Sequence, residues 1–427
     1  MMTIAAILLG LVILLFTGLP IFAGLSIFGG GLLLASGAGI EGISEIIFHK
    51  ISLYVLLAIP LFAYMAHIMI RARIIDDLYA TAYTLTRHLP GGVGVATILA
   101  CMIFSAISGS SVATALTIGA VAIPQMIRYG YDPRVAYGLV AAGGTLGILI
   151  PPSGPMIIYG VATDTSIGGL FMAGLVPGLM LALIFMLSTA FQQRHCRREL
   201  RAGLGEVLRA LRASCWALAL PALVLGGMYV GVFTATEAAA VGALLALAVG
   251  GLIYRTIGPR QIWASAIDAS RTSAMLFMIL AGAAVFSHAL TKLLIPQQIV
   301  SLVSTMELGT FGFLLMMMAL IFVLGMFLES IAIILITSPV VLPVLALLEI
   351  SPIWYGVMLV INLELAMITP PVGMNLFTIK AVTEAPIGQI IRGSLPFVLL
   401  MLLGLALVMV FPGLALWLPG TMLELGP

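Results

Sequence analysis

The chain has 427 residues, 62% of them hydrophobic and only 8% charged, with a net charge of +2 and a mean hydropathy of +1.24. A soluble domain needs roughly 25% charged residues to face water, so most of this chain faces lipid. The small, dispersed positive charge excludes nucleic acid as a main partner, and Cys101, Cys196 and Cys215, with no CxxC, exclude a disulfide framework or a zinc site.

Met1, Met2 and Thr3 supply no basic n-region, so the sequence from Ile4 onward is read as mature membrane protein rather than a secretory signal. A membrane-spanning helix takes roughly 20 apolar residues. Residues 1–40 carry no charge, and Gly18-Leu19-Pro20 in their middle predicts two spans joined by a tight turn. Further uncharged runs cover 51–70, 91–127, 135–163, 165–193, 213–236, 238–254, 272–291, 308–328, 330–348, 350–363, 365–379 and 393–423. They are continuous rather than alternating, which excludes an outer-membrane barrel and predicts an all-α polytopic membrane protein. The densest basic segment, Arg194, Arg197, Arg198, Arg201, Arg209 and Arg212, belongs in the cytoplasm by the positive-inside rule. Walking outward from it puts Arg255, Arg260, Arg271, Lys380 and Arg392 inside as well. Arg71, Arg73, Arg87, Arg128 and Arg134 join them if 91–127 dips in and returns to the same side. Lys50, Lys292 and both termini then lie outside. The mixed stretches 71–90 and 255–271 suit amphipathic helices at the cytoplasmic interface.

The two halves repeat. Adding 219 to a first-half position maps Ser111 to Ser330, Ala113 to Ala332, Val121 to Val340, Pro124 to Pro343 and Pro133 to Pro352. The same shift carries Pro151 and Pro152 to Pro370 and Pro371, and Gly154 to Gly373. Each unit reads as an apolar run holding a polar cluster, then a proline, a short turn and a helix broken by Pro-Pro. In the topology above, the first cluster enters from the cytoplasm and the second from outside, so the repeats are inverted. Pro-Pro removes two donors and pushes the preceding residue out of the helical region. Carbonyls near 148–150 and 367–369 are thereby freed, and irregular backbone at membrane depth is tolerated only in protein or beside a water-filled cavity. In inverted-repeat transporters such carbonyls and half-helix ends hold Na⁺, while helix N-termini face an anionic group.

Ser108, Gly109, Ser110, Ser111 and Thr114 read either as small residues easing helix packing or as a hairpin tip with hydroxyl ligands. Glu329 and Glu364 are ionisable groups within apolar runs, which makes each a functional candidate; the alternative is a buried carboxylate hydrogen-bonded to a hairpin. Asn362, Thr369 and Asn375 serve as ligands or interhelical glue, and their crowding around Pro370-Pro371 favours ligands. Glu237 and Asp164 read as helix caps, and His67 and His288 as core or interface histidines. A serine hydrolase at Ser153-Gly154 lacks a nearby His or Lys, so no enzyme is expected. Hydroxyl and carbonyl oxygens suit Na⁺ rather than a transition metal. Protons relayed by Glu329 or Glu364 compete as the coupling ion, but neither carboxylate has a counterpart in the other repeat: they map to Ser110 and Thr145.

Phe104-Ser105-Ala106-Ile107-Ser108-Gly109-Ser110, Gly130-Tyr131-Asp132, Gly144-Thr145-Leu146-Gly147-Ile148-Leu149-Ile150-Pro151-Pro152-Ser153, Thr236-Glu237-Ala238-Ala239-Ala240-Val241 and Thr369-Pro370-Pro371-Val372-Gly373-Met374-Asn375-Leu376 closely resemble the large membrane subunit of tripartite ATP-independent periplasmic (TRAP) transporters, the DctM-like family. The likeness runs in order along nearly the whole chain. It implies a Na⁺-driven importer of small organic acids, such as C4-dicarboxylates or sialic acid, in the bacterial inner membrane. Its partners would be a periplasmic solute-binding protein and a small four-helix membrane subunit, with no cofactor beyond Na⁺. The implied fold is an inverted-repeat secondary transporter of elevator type, with two re-entrant hairpins and two Pro-Pro-broken helices.

Carried over by position, the first Na⁺ site would use Ser108, Gly109, Ser110 and Ser111 with Gly144, Thr145 and Pro151. The second would use Glu329 and Ser330 with Thr369, Pro371 and Gly373. Substrate would lie between them, near Ser110, Ser153, Ser330 and Asn375. The implied organisation is scaffold and interfacial arm (1–90), transport repeat 1 (91–163), scaffold helices with a basic loop and a second arm (164–273), a scaffold helix (274–304), transport repeat 2 (305–385) and a C-terminal span (386–427). No extra four-span segment precedes the first motif, so the small subunit is expected as a separate chain docked on the scaffold. A stand-alone Na⁺- or H⁺-coupled organic anion transporter is the nearest alternative. An anion channel fits poorly because it would need an open or charged lining, and a purely structural scaffold would not need matched breaks.

Overall fold

The computed structural model describes residues 7, 10, 13, 14, 17–37, 39–72, 74–196 and 199–422. Most of the first expected span, together with Arg73, Arg197 and Arg198, lies outside the described residues. Among the described residues all regular structure is helical, and nine helical stretches are long and apolar enough to cross a membrane.

The first helices are α1 (Ile21–Ala35), α2 (Ile43–Ile51), α3 (Ala58–Arg71, entered through a 3₁₀ turn) and α4 (Ile74–Thr86). The first repeat follows as α5 (Gly92–Ser108), α6 (Ser111–Arg128), α7 (Pro133–Leu149) and α8 (Gly154–Thr163). Next come α9 (Ile167–Gln192), α10 (Leu204–Tyr229), α11 (Ala235–Ala248), α12 (Pro259–Lys292) and α13 (Ile295–Thr305). The second repeat comprises α14 (Thr310–Gly325), α15 (Ser330–Leu347), α16 (Pro352–Met367) and α17 (Met374–Thr383), before α18 (Ile387–Val410) and the short α19 (Gly413–Leu416).

The sequence repeat is a structural one. Both ends of α6 fall on both ends of α15 at the 219-residue shift, and α5, α7 and α8 match α14, α16 and α17 to within two residues. The correspondence also runs further than the Pro-Pro motifs. α9 and α18 correspond, with interior Pro177 and Pro396 in register, and the short α4 corresponds to α13. Packing is reciprocal: α6 lies on α17 and α15 on α8, while α7 lies on α18 and α16 on α9. Such exchange between halves is what pseudo-two-fold symmetry requires.

Two expectations change here. The charged stretch 255–271 does not form an arm helix of its own; from Pro259 it is the first part of α12, which runs unbroken for 34 residues. At 1.5 Å per residue that is about 50 Å, longer than the hydrocarbon core. Its Asp268 is held by Arg71 at 2.6 Å, and Arg71 also donates to Ser265 at 2.9 Å, so the charged part of α12 is tied to the end of α3. The counterpart of α4 is instead α13, a short helix without a charged residue to mark it in the sequence. Asp164 ends α8 in a left-handed conformation, whereas Ser166 caps α9 by accepting from Gly169 N at 3.1 Å. Glu237 behaves as expected, forming a reciprocal capping box with Thr234 at the start of α11.

At the end of α9 and the start of α10, a polar cluster ties loop to arm. Arg87 donates to both carboxylate oxygens of Glu206, at 2.7 and 2.8 Å, and Tyr83 and Tyr129 share a 2.6 Å hydrogen bond. Tyr129 also donates to Glu199. The arm helix α4 is thereby fastened to the exit of α6.

Candidate functional site

Each half builds a hairpin tip and a helix break. In the first, α5 ends at Gly109, whose φ of +59° favours a residue without Cβ. A Cβ there would stand 2.5 Å from the Pro152 carbonyl oxygen, so the glycine also lets the tip rest against the break. Ser110 caps α6 by accepting from Ala113 N at 3.3 Å, and the Ser108 and Thr114 hydroxyls lie 3.0 Å apart. At the break Ile150 is extended, and Ser153 caps α8 by accepting from Met156 N at 3.4 Å. In the second half α14 gives way at Met326 to a turn, Glu329 precedes α15 without a side-chain cap bond, and Gly373, at φ +56°, precedes α17.

Tips and breaks surround one cavity of about 260 Å³. Ser108, Gly109, Ser110, Ser111, Glu329 and Ser330 line it from the tips, and Pro152, Ser153, Met367 and Met374 from the breaks. α3 and α12 close it with Phe62, Thr272 and Met275. Glu329 is the one ionisable side chain among the lining residues, so no Arg or Lys offers a carboxylate clamp. The first residues of four helices, Ser111 of α6, Gly154 of α8, Ser330 of α15 and Met374 of α17, all border the cavity. Their aligned dipoles, and the first-turn N–H groups not already taken by the Ser110 and Ser153 caps, set partial positive charge beside it. An anion can be held this way without a basic side chain.

Seven of the expected site residues, Ser108, Gly109, Ser110, Ser111, Ser153, Glu329 and Ser330, therefore meet on one cavity. The remainder do not line it. Gly144 lets α7 approach α6 closely, a Cβ there falling 3.1 Å from the Ser111 carbonyl. Thr145 donates back to Ala142 O at 2.6 Å and lies beside Met401 of α18, facing away from the tips. Pro151 is buried, whereas Pro371 is exposed. Thr369, just past the end of α16, donates back to Leu365 O at 2.7 Å, and the Gly373 position sits against the Thr369 carbonyl. Asn362 is interhelical glue, donating to Met318 O on α14 at 2.7 Å.

Asn375 is fully buried beneath the cavity and donates to Ser111 Oγ at 2.9 Å and Ala141 O at 3.2 Å. Ser111 in turn donates to Glu364 Oε2 at 2.8 Å. Sequence reasoning named Glu364 but could not place it, because its mate, Ser111, is 253 residues away. The signal available was a lone acid in an otherwise apolar helix.

Comparison with known proteins gives a consistent result. The model of the family described as "Tripartite ATP-independent periplasmic transporter, DctM component" matches residues 8–414. The chain is 40% identical over 390 residues to the C4-dicarboxylate TRAP transporter large permease protein DctM of Pseudomonas aeruginosa, covering 91% of each chain. It is 34% identical to the sialic acid TRAP transporter large permease protein SiaM of Vibrio cholerae, covering 97% of each. Its fold is similar to that of the YdaH transporter of Alcanivorax borkumensis, with a TM-score of 0.65, 17% identity, and 87% of this chain and 88% of that one covered. With apolar helices that span a membrane many times and matched, proline-broken halves enclosing a cavity, this chain belongs to the DctM family of TRAP transporters, as a multi-pass large permease subunit of the bacterial inner membrane and not an enzyme.

Proposed function

We propose that this chain is the permease of a Na⁺-coupled, binding-protein-dependent importer that carries a small organic acid by an elevator motion. The observation that carries the reading is the convergence of four helix N-termini on a cavity bordered by serine hydroxyls and lacking a basic side chain. A carboxylate is held there by partial charges and hydroxyls, without the desolvation penalty of burying a charged partner. C4-dicarboxylates and sialic acid, named for two similar permeases, are the first candidates.

Two Na⁺ ions occupy the junctions of tip and break. The first is held among Ser108, Gly109, Ser110 and Ser111 with carbonyls near Gly144, Thr145 and Pro151; the second among Glu329, Ser330, Thr369, Pro371 and Gly373. Substrate sits between them against Ser110, Ser153 and Ser330, with Asn375 buried behind Ser111. Residues 91–163 and 305–385 move as the transport unit, each hairpin re-entering the membrane from its own side, against a scaffold made by the rest. The small membrane subunit docks on that scaffold, because a static partner cannot clamp the moving hairpins, and a periplasmic binding protein delivers the substrate.

The test is reconstitution of the chain with its small subunit and binding protein in liposomes. Labelled succinate or sialic acid uptake is followed under an inward Na⁺ gradient, with K⁺ or choline as controls. Na⁺-dependent uptake that ceases without the binding protein is expected. Ser108→Ala and Ser330→Ala should each raise the Na⁺ concentration for half-maximal rate about tenfold, equivalent to ~1.4 kcal/mol. Uptake that follows a pH gradient and ignores Na⁺ would replace Na⁺ by protons, and uptake without the binding protein would favour a stand-alone carrier.

A further inference from the structure

The two half-sites are not equally joined to each other. On one side of the molecule Ser111, the first residue of α6 at hairpin tip 1, is held from two directions by residues of the second repeat. Glu364 lies on α16 before the Pro370-Pro371 break, and Asn375 lies on α17 after it. Both are buried to within 1% of complete enclosure. On the other side no equivalent link is found among the described residues: the position matching Glu364 is Thr145, whose hydroxyl turns to Ala142 O in its own helix and to Met401 Sδ of α18, and the position matching Asn375 is Met156. Glu329, at the opposite tip, forms no cap bond.

The three-residue chain bridges the break itself. Since Pro370-Pro371 interrupts the helix, α16 and α17 share no continuous hydrogen-bond ladder, and the side chains of Glu364 and Asn375 meet on one hydroxyl of the other repeat. Moreover, Glu364 Oε1 and Asn375 Oδ1 are buried without a hydrogen-bond partner in this arrangement. Buried polar atoms are nearly always satisfied, so the network holds two acceptors with which a displaced tip can form new bonds. An element with two hydrogen-bonding arrangements is the physical requirement for coupling between sites.

We infer that Ser111, Glu364 and Asn375 form a one-sided coupling link, through which the state of hairpin tip 1 sets the conformation of the second helix break. Glu364 and Asn375 are positioning residues that act through Ser111 and through the geometry of the break. The inference rests on the proposed ion sites only for what loads the tip; the link itself is tested without an ion as well.

The measurement is amide hydrogen exchange on the full chain in detergent, reading a tip peptide spanning 106–113 and a break peptide spanning 366–376. In the parent protein, NaCl against choline chloride slows exchange at both peptides with one common midpoint. Separately, Ser108→Ala, which removes the Thr114 hydroxyl contact at the tip, speeds exchange at the break. In Glu364→Ala and in Asn375→Ala the tip still answers Na⁺, while the response at the break falls at least threefold. Glu364→Gln keeps an acceptor for Ser111 and restores it. A full break response in Glu364→Ala, or failure of Glu364→Gln to restore it, overturns the link. If Na⁺ changes nothing in the parent but Ser108→Ala still reaches the break, the ion reading fails and the link stands. If Ser108→Ala does not reach the break in the parent, the link fails whatever Na⁺ does.

Discussion

At the scale of single residues, polar side chains in this protein divide by whether their hydrogen bonds reach another helix. Thr337 and Ser338 donate to carbonyls one turn back in their own helix, so they bury a hydroxyl at small cost and bind little else, and half-buried Thr369 does the same to the last turn of α16. Asn362 differs, because its amide bridges α16 to the Met318 carbonyl of α14 at 2.7 Å within a buried interface. Interhelical bonds in membranes average well below the value of a buried orphan group in water-soluble cores. Asn362→Ala is therefore expected to cost about 1 kcal/mol, lowering the thermal midpoint in detergent. The midpoint's dependence on NaCl should stay unchanged, because Asn362 lies outside the cavity. A lost Na⁺ response would make Asn362 a ligand after all.

Among elements, helix crossings are set by backbone approach rather than by matching side chains. α7 and α18 cross at Gly138 and Gly393, where a Cβ on either would fall 1.9 Å from the other helix's carbonyl oxygen. α1 and α12 cross similarly at Gly29 and Gly282. Small residues bring helices close enough in lipid for dispersion to replace the missing hydrophobic force between them. Gly138→Ala must push apart two backbones, which cannot swing away as a side chain does. A loss of about 3 kcal/mol, at the upper end of overpacking costs, is expected from thermal unfolding. Gly226→Ala, where nothing lies within 4 Å, should leave the midpoint unchanged or slightly raised. Equal effects of the two substitutions would show that the crossing is not close in the folded membrane protein.

For the whole molecule, orientation is the property that ties the inverted repeat to the membrane. Cys196 follows the end of α9 in the basic segment assigned to the cytoplasm, and its thiol donates to Gln193 Oε1 at 3.2 Å. Partial burial pushes the Cys196 thiol above its ordinary range. Because only the thiolate reacts, and a raised value leaves less of it at neutrality, labelling should accelerate steadily as pH rises from about 7 to about 9. A membrane-impermeant maleimide should label Cys196 in inverted vesicles and spare it in right-side-out vesicles, with Cys196→Ser giving the background. Labelling from the outside instead would reverse the topology, and with it which hairpin opens to the cytoplasm.

Composition, uncharged run lengths and the 219-residue shift were enough to specify a polytopic helical bundle of two matched halves, and to locate both tips and both breaks. Those features are local: they depend on hydrophobic length, on proline's missing donor and on order along the chain. The sequence also marked Ser108 to Ser111, Ser153, Glu329 and Ser330, which the fold gathers on one cavity. Other decisions needed tertiary structure. That 259–271 is the first part of α12 is seen only in the fold, where Arg71 meets its Asp268 across 197 positions. That α13 is the partner of α4 was hidden because two helices related by symmetry need share only geometry, not residue types. That Thr145 turns to α18 while Glu364 turns to Ser111 reflects which neighbour each helix face meets. No periodicity records such meetings, because they join residues hundreds of positions apart, and only packing brings those residues within hydrogen-bond reach.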